Sequence, residues 1–340
     1  MVVTDYGAPL QLRDLPPPRL APGHALLEIL TCGVCFSDVK IARGRMPFSA
    51  ALALPHVPGH EICARVLDCD PPGALETGSM VVVHNVWPCR RCDRCRAGEE
   101  NICRRPEVRA GFTEPGGFQE RMVAPLDRLT TVPPGIDAAH AAPLTCALGT
   151  AYRAVLTRGG VRAGMRVAVI GLGGVGIHAL QVAHAAGARA VGLDRSPRAV
   201  AAASALGLDA LAADAGVEDE LAGAEGFDVV IDTVGHPETT AQADRLVRPG
   251  GCIVAVGYAV GESWTVPSDR LVLDEVRIVG SRYVLRDELE RAIRLVADGR
   301  VQMVVDRVEP LEAANAAFAA LEAGEVVGRV VLDVAGAPGC

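Results

Sequence analysis

Aromatic residues make up only 4% of this 340-residue chain, so its cores must be built from Ala, Val and Leu rather than from large rings. Positive charge is in deficit as well. The net charge is −8, and the arginines around Cys89–Arg105 form the one basic tract. That argues against nucleic acid as the main partner, because phosphate binding needs a basic surface. A membrane span is missing: the glycines, His178, Gln181, His184 and Arg189 interrupt Val167–Leu193, and a span needs an unbroken apolar run. The opening MVVTDYGAPL lacks the charged-then-apolar layout of a signal peptide, so a cytoplasmic location is expected. In that compartment eleven cysteines point to metal sites and free thiols more than to disulfides. Internal repeats and low-complexity linkers are absent too. What remains is globular, 50% hydrophobic and 22% charged, with the length of two domains or one large one.

The organising stretch is Leu144–Gly176. Val167–Ile170 is a compact run of the kind a buried parallel strand needs. Gly171, Leu172, Gly173, Gly174, Val175 and Gly176 follow at once as G-x-G-x-x-G. The first glycine permits a tight turn, the second lets backbone approach a pyrophosphate, and the third lets helix and strand pack closely. A helix from about Val175 to Ala186 would aim free N–H groups at the phosphates, and Gly187 is a natural stop. A second strand, Ala190–Leu193, ends at Asp194, where a carboxylate should meet a ribose 2′-hydroxyl. Asp194 favours NAD(H) over NADP(H), because a carboxylate repels a 2′-phosphate; Arg195 and Arg198 follow it and could attract one. The blander alternative is a glycine-rich turn in some other α/β domain. The order strand, loop, helix, strand, acid counts against it.

The strongest local signal is Cys89, Cys92, Cys95 and Cys103, spaced C-x2-C-x2-C-x7-C. Four thiolates at that spacing can close a tetrahedral zinc site within one compact lobe, about residues 85–105. An iron–sulfur run uses a shorter final gap followed by proline, whereas Arg104 follows Cys103. A zinc finger for nucleic acid would want histidines and a less acidic chain. The arginines at 90, 91, 94, 96, 104 and 105 read as a solvated face that helps offset thiolate charge. A second set of candidate ligands is scattered: Cys32 and Cys35 in TCGVCFSD, His60 in GHE, and Cys146 far downstream. Taken singly, these are a redox or buried thiol pair and a satisfied core histidine. Together they suggest a Cys-His-Cys catalytic zinc with an open fourth position.

Elsewhere, residues 1–30 alternate short apolar runs with proline turns, and Ala25–Leu30, Ile62–Val66 and Arg121–Ala124 read as strands. Ala138–Thr150 starts the helical passage that carries Cys146 toward the cofactor domain. After Asp194 helices and strands alternate: Ala199–Leu206, Phe227–Ile231, Thr239–Val247, Cys252–Val256 and Val276–Val279. That rhythm implies a right-handed, mostly parallel, doubly wound sheet. Asp287–Ala297 and Ala313–Glu322 read as helices and Arg329–Val334 as a final strand, a tail that would return to complete the N-terminal domain.

Several motifs occur in one order over essentially the whole chain: GVCFSD at Gly33–Asp38, GHE at Gly59–Glu61, the four-cysteine lobe, GGF-x-E from Gly116, Cys146, GLGGVG, and GRVVL at Gly328–Leu332. On these the chain resembles the zinc-dependent medium-chain dehydrogenase/reductase superfamily, alcohol dehydrogenase type. The resemblance implies an α/β fold: a GroES-like β-rich catalytic domain over 1–147 and 284–340, and a doubly wound Rossmann cofactor domain over 148–283, with the active site in the cleft between them. It implies two zincs per chain, with Cys35, His60 and Cys146 as the catalytic ligands and Cys32 as bystander. Glu61 would be the carboxylate that can approach that metal, Asp38 would fix the tautomer of His60, and Ser37 would relay the alcohol proton. Thr150 and Val175 would press on the nicotinamide, and Arg329 would contact the pyrophosphate. Relatives often carry His or Arg where this chain has Phe36, and many carry a relay histidine where it has Lys40. So Lys40 stands in as relay, or Ser37 passes its proton to solvent. The chain begins almost within its first strand, so a few residues upstream are expected.

The expected reaction is reversible hydride transfer between an alcohol, or its aldehyde or ketone, and NAD(H). The substrate pocket would be lined by Phe36, Ser37, Met46–Ala53, Asn85–Trp87, Phe112 and residues near Tyr258. With no evident charge anchor beyond Ser37 and zinc, an apolar or aromatic alcohol is favoured. Two alternatives remain open here: a zinc-bearing reductase of activated C=C or iminium bonds in the same superfamily, and a non-catalytic NAD-binding redox sensor. A homodimer or homotetramer is expected, with the stretch after Val276 as a candidate contact.

Overall fold

The computed structural model describes all residues except 50–51, 106–107, 214–220, 222, 224 and 337–340. Residues 50 and 51 of the expected pocket segment Met46–Ala53 thus lie outside the described residues. The chain divides into two compact units, Met1–Cys146 with Leu285–Ala297 and Val305–Cys340, and Ala147–Val284 with Asp298–Val304.

The first unit is organised around β1 (His24–Val34). Its early residues alternate between buried and half-buried, as in a strand with one solvated face, and its last residues are buried on both faces. It pairs antiparallel with β2 (Glu61–Cys69), β6 (Arg121–Pro125) and β15 (Arg329–Asp333). The sheet continues through β3 (Met80–Val83) and β7 (Leu129–Thr131) on one side and ends at β14 (Val305–Pro310) on the other. Leu27, Ile29, Ile62, Val81, Phe118, Phe318 and Val330 form its core. A short ribbon of β4 (Val86–Trp87) and β5 (Val108–Arg109) accompanies the cysteine lobe.

Two registers place chemistry. Gly33 on β1 lies opposite Glu61, the first residue of β2. A Cβ at Gly33 would meet Glu61 Oε2 at 2.4 Å, so only glycine leaves room for that carboxylate. On the far side Val305 of β14 lies opposite Arg329 of β15.

The passage over Ala138–Thr150 is not one helix. It runs as Ala138–Ala141, a 3-10 turn Ala142–Thr145 holding Pro143, and a fresh helix, Ala147–Tyr152, which runs into a π-helical turn, Arg153–Arg158. Proline cannot donate to the preceding turn, and Cys146 sits at the break with φ −110° and ψ −67°.

In the second unit six strands, taken in chain order, lie parallel in the order 3-2-1-4-5-6. They are β8 (Arg166–Ile170), β9 (Arg189–Asp194), β10 (Asp209–Ala212), β11 (Phe227–Asp232), β12 (Val247–Ala255) and β13 (Arg277–Gly280). Order 3-2-1-4-5-6 reverses direction between β8 and β11, where such sheets bind ligands. β12 starts at Val247, earlier than the residue pattern suggests. A register shift against β11 absorbs the turn-like Arg248–Gly251. Among the described residues no helix is long and apolar enough to cross a membrane.

Candidate metal and cofactor sites

The first unit gathers Cys35, His60, Glu61 and Cys146, whose ligand atoms all lie within 4.8 Å of one another. Cys35 leads into the helix Phe36–Ala42, and His60 and Glu61 open β2. Asp38, wholly buried, orients this corner. Its Oδ2 accepts the Cys35 N–H at 2.9 Å, and its Oδ1 accepts from Gly59 N–H at 3.1 Å and from His60 Nδ1 at 2.9 Å. A carboxylate only accepts, so His60 carries its proton on Nδ1 and turns the Nε2 lone pair to the cluster.

The resemblance places Arg329 on a pyrophosphate. In the structure its Nε instead meets both Glu61 oxygens, at 2.9 and 3.0 Å, and its Nη2 lies 3.7 Å from Cys35 Sγ. A glutamate opening the otherwise apolar run EICA was the available signal, since a buried carboxylate needs a cation. Burial pushes the Glu61 carboxyl up to about 7 against the pull of Arg329. The hydrogen bond from Cys146 holds the Cys35 thiol well below its usual range against burial, with help from Arg329 and His60. Cys146 is pushed up in return. Two thiols and an imidazole backed by a carboxylate make a borderline-soft N/S donor set that suits zinc.

Beside this cluster the wall is apolar. The Phe112 ring lies 4.5 Å from that of His60, and Phe48 meets Phe112 edge-on at 6.2 Å. Ile41, Met46 and Leu52 pack with them. Ser37 and Lys40 stand one turn apart on the helix that follows Cys35, with Lys40 Nζ 5.9 Å from the Phe36 ring centre. Lys40 is the only lysine in the chain. Burial lowers its pKa and the Cys35 charge raises it again.

Cys89, Cys92, Cys95 and Cys103 also converge within 4.8 Å. Their Sγ–Sγ separations of 3.5, 3.9 and 3.5 Å match the ~3.8 Å edge of a tetrahedron with Zn–S bonds of about 2.3 Å. Backbone N–H groups of Cys95 and Arg104 pull the Cys92 thiol down to about 6. The neighbouring arginines are more than a solvated face: Arg104 pairs with Asp93, Arg94 with Glu99, Arg128 with Glu100 and Asp127, and Arg90 with Asp127.

In the second unit Gly171 adopts φ +85°, and a Cβ on Gly176 would meet the Gly171 carbonyl at 1.6 Å. A Cβ on Gly173 would meet nothing within 4 Å, which leaves open space where a diphosphate would lie. The helix Gly176–Ala185 starts there. Asp194 ends β9, and its carboxylate accepts from Leu172 N–H at 2.6 Å and Ser196 N–H at 2.7 Å. It therefore braces the glycine loop from the position expected of a ribose partner. Arg195 is exposed, and Thr150 is buried on its helix.

Residues 21–134 match the family model of the alcohol dehydrogenase GroES-like domain, and residues 174–298 that of the zinc-binding dehydrogenases. An alcohol dehydrogenase of Geobacillus stearothermophilus is 32% identical, with 98% of each chain covered. Among solved structures, one described as an NAD-dependent alcohol dehydrogenase superposes with a TM-score of 0.91 at 30% identity, covering 98% of both chains. Acetophenone reductase of Geotrichum candidum in complex with NAD superposes with a TM-score of 0.86 at 29% identity, covering 98% of this chain and 96% of that one.

Proposed function

Because the chain belongs to the zinc-dependent alcohol dehydrogenases of the medium-chain dehydrogenase/reductase superfamily, we propose that it moves a hydride between an apolar or aromatic alcohol, or its carbonyl, and NAD(H). The observation that carries this reading is the convergence of Cys35, His60, Glu61 and Cys146, with Asp38 behind the imidazole. Cys35, His60 and Cys146 would hold the catalytic metal, and the four-cysteine lobe a structural one. Zinc bound there supplies Lewis acidity that favours the alkoxide near neutral pH.

The remaining work falls to the chain. Asp38 holds His60 in one tautomer, and Arg329 favours the charged form of Glu61 and holds it beside the metal position. Ser37 takes the alcohol proton, and Lys40, one turn along the same helix, passes it toward solvent. The Phe112 and Phe48 wall next to His60 supports an apolar substrate and excludes water. The acetophenone reductase relative acts, by its description, on an aromatic ketone. The glycine loop would seat the pyrophosphate, with Thr150 and Val175 orienting the nicotinamide. Asp194, already at the end of β9, supports NAD(H) over NADP(H). β13 is an edge strand whose Ile278 is exposed, with Leu271, Val272 and Leu273 exposed nearby in sequence. We assign that face to pairing with a second copy, since an uncovered apolar edge is a liability in a monomer.

The test is metal per chain together with turnover over a panel of alkyl and aryl ketones with NADH and with NADPH. Two zincs and faster turnover of aryl ketones with NADH is the expected result. Full turnover in metal-free enzyme would sink the reading.

A further inference from the structure

The glycine loop is fastened to a distant piece of chain by two buried side chains. His178 and Gln181 lie three apart on the helix after the loop, so they share one face. Gln181 closes a two-bond clasp on Gln302: its Nε2 donates to Gln302 O at 2.9 Å, and its Oε1 accepts from Gln302 N–H at 2.7 Å. His178, 0% exposed, touches Gly174 O through Nδ1 at 2.6 Å and Val304 N through Nε2 at 3.1 Å. A carbonyl can only accept and a backbone N–H can only donate. The ring is therefore neutral with its proton on Nδ1. Both ends are used, and neither contact survives a change of tautomer.

These bonds explain why Asp298–Val304 packs with the second unit although the chain on either side of it belongs to the first. The peptide bond after Val304 leads to Val305, which lies opposite Arg329 in the β14–β15 ladder. Arg329 holds Glu61 and approaches Cys35. A continuous path thus runs from the Gly174 carbonyl through His178, Val304 and Val305 to Arg329, Glu61 and Cys35. Each link is a hydrogen bond, a ladder pair or a covalent bond.

We propose that His178 is a positioning residue that couples occupancy of the glycine loop to the 302–304 segment, and through Val305 to the Arg329–Glu61 pair. This rests on the reading of the loop as a dinucleotide site. His178 touches no cofactor itself. It acts by fixing Gly174, so a filled loop holds the segment more firmly and a held segment favours a filled loop. Such coupling is reciprocal by thermodynamic necessity.

The experiment uses the full-length, zinc-loaded protein. Amide hydrogen exchange is followed at Gln302 and Val304 with and without saturating NADH, and NADH affinity is read by fluorescence. In the unaltered protein NADH should slow exchange at these two amides by about tenfold or more, and His178→Phe should abolish that slowing and weaken NADH binding about tenfold at unchanged zinc content. His178→Asn, which can still donate to Gly174 but cannot reach Val304, should restore affinity only in part and leave the two amides unprotected. NADH binding that leaves exchange at 302 and 304 unchanged in the unaltered protein overturns the proposal and needs no variant. A His178→Phe protein that melts earlier but keeps NADH affinity and amide protection overturns it as well, because the residue would then be purely structural. Failure of the unaltered protein to bind either NADH or NADPH would instead overturn the dinucleotide reading beneath it.

Discussion

The two cysteine clusters answer opposite demands with similar atoms. Cys89, Cys92, Cys95 and Cys103 come from one short stretch, and the charges around them are mostly exposed or half-exposed arginine–carboxylate pairs, with Arg128 the buried exception. Cys35, His60, Glu61 and Cys146 come from separate stretches of chain, and their charge partners Asp38 and Arg329 are buried. A closed tetrathiolate needs only local chain and solvent-side balance. A site that must exchange ligands needs charges held nearby without becoming ligands, and these can only be supplied by the fold around it. The lobe is therefore legible as a spacing, and the mixed site only as a fold.

Breaking each cluster in turn should separate them most sharply. His60→Ala should remove one metal per chain and bring turnover to the assay background with little change in melting temperature. Cys95→Ser should remove the other metal and lower the melting temperature, because a structural site lends its binding energy to folding. If both variants lost both metals, the two clusters would not be independent.

The buried ion pair is the next largest contrast. Arg329→Met leaves the Glu61 carboxyl, already pushed up to about 7 with its partner present, buried and without its cation; it should go neutral, at a cost of about 1–3 kcal/mol in chemical denaturation at neutral pH. Adding Glu61→Gln should recover much of that. The matching cut at the lobe, Arg104→Met, breaks an exposed pair with Asp93 and should leave stability nearly unchanged. Equal losses at the two sites would contradict the division between buried and solvent-side balance. Asp38→Asn should act more mildly than loss of a ligand, lowering affinity at the mixed site about 10- to 100-fold while sparing the lobe, as metal titration would show.

Much of this molecule could be read from residue order. The strand, glycine loop, helix and acid of 167–194 each have local causes, and in the structure Gly171 takes φ +85° and Gly176 leaves no room for a Cβ. What escaped depends on contacts distant in sequence. Arg329 reads as a phosphate ligand until β15 is seen beside β1, which puts it on Glu61. The helical passage through Cys146 is legible as helical, but the break at the 3-10 turn holding Pro143 is not. β14 has a mostly half-exposed pattern with no period-two signal, and its partner lies at 329–333. Gln181 and His178 read as interruptions of an apolar run, and their partners at 302 and 304 carry no motif at all.

The seat of the lobe offers the finest test, through acid. His84 follows β3, donates its backbone N–H to Arg128 O at 2.8 Å, and places Nε2 3.1 Å from Thr130 Oγ1. Arg128 in turn holds Glu100 of the lobe at 2.8 Å. Burial, then the charges of Arg128 and Arg286, push the His84 pKa down to about 3, against about 6.5 in the unfolded chain. The unfolded state therefore binds the extra proton across that window, so this residue's contribution to stability is complete above about pH 6.5 and lost as pH falls toward 3. The slope is at most about 1.4 kcal/mol per pH unit. His84→Gln, with no proton to take up, should flatten the acid limb of the denaturation profile between pH 6 and 4 while leaving neutral-pH turnover within about twofold. An unchanged limb would mean that acid attacks this protein elsewhere, and that the lobe's seat is no weaker than the buried site beside Arg329.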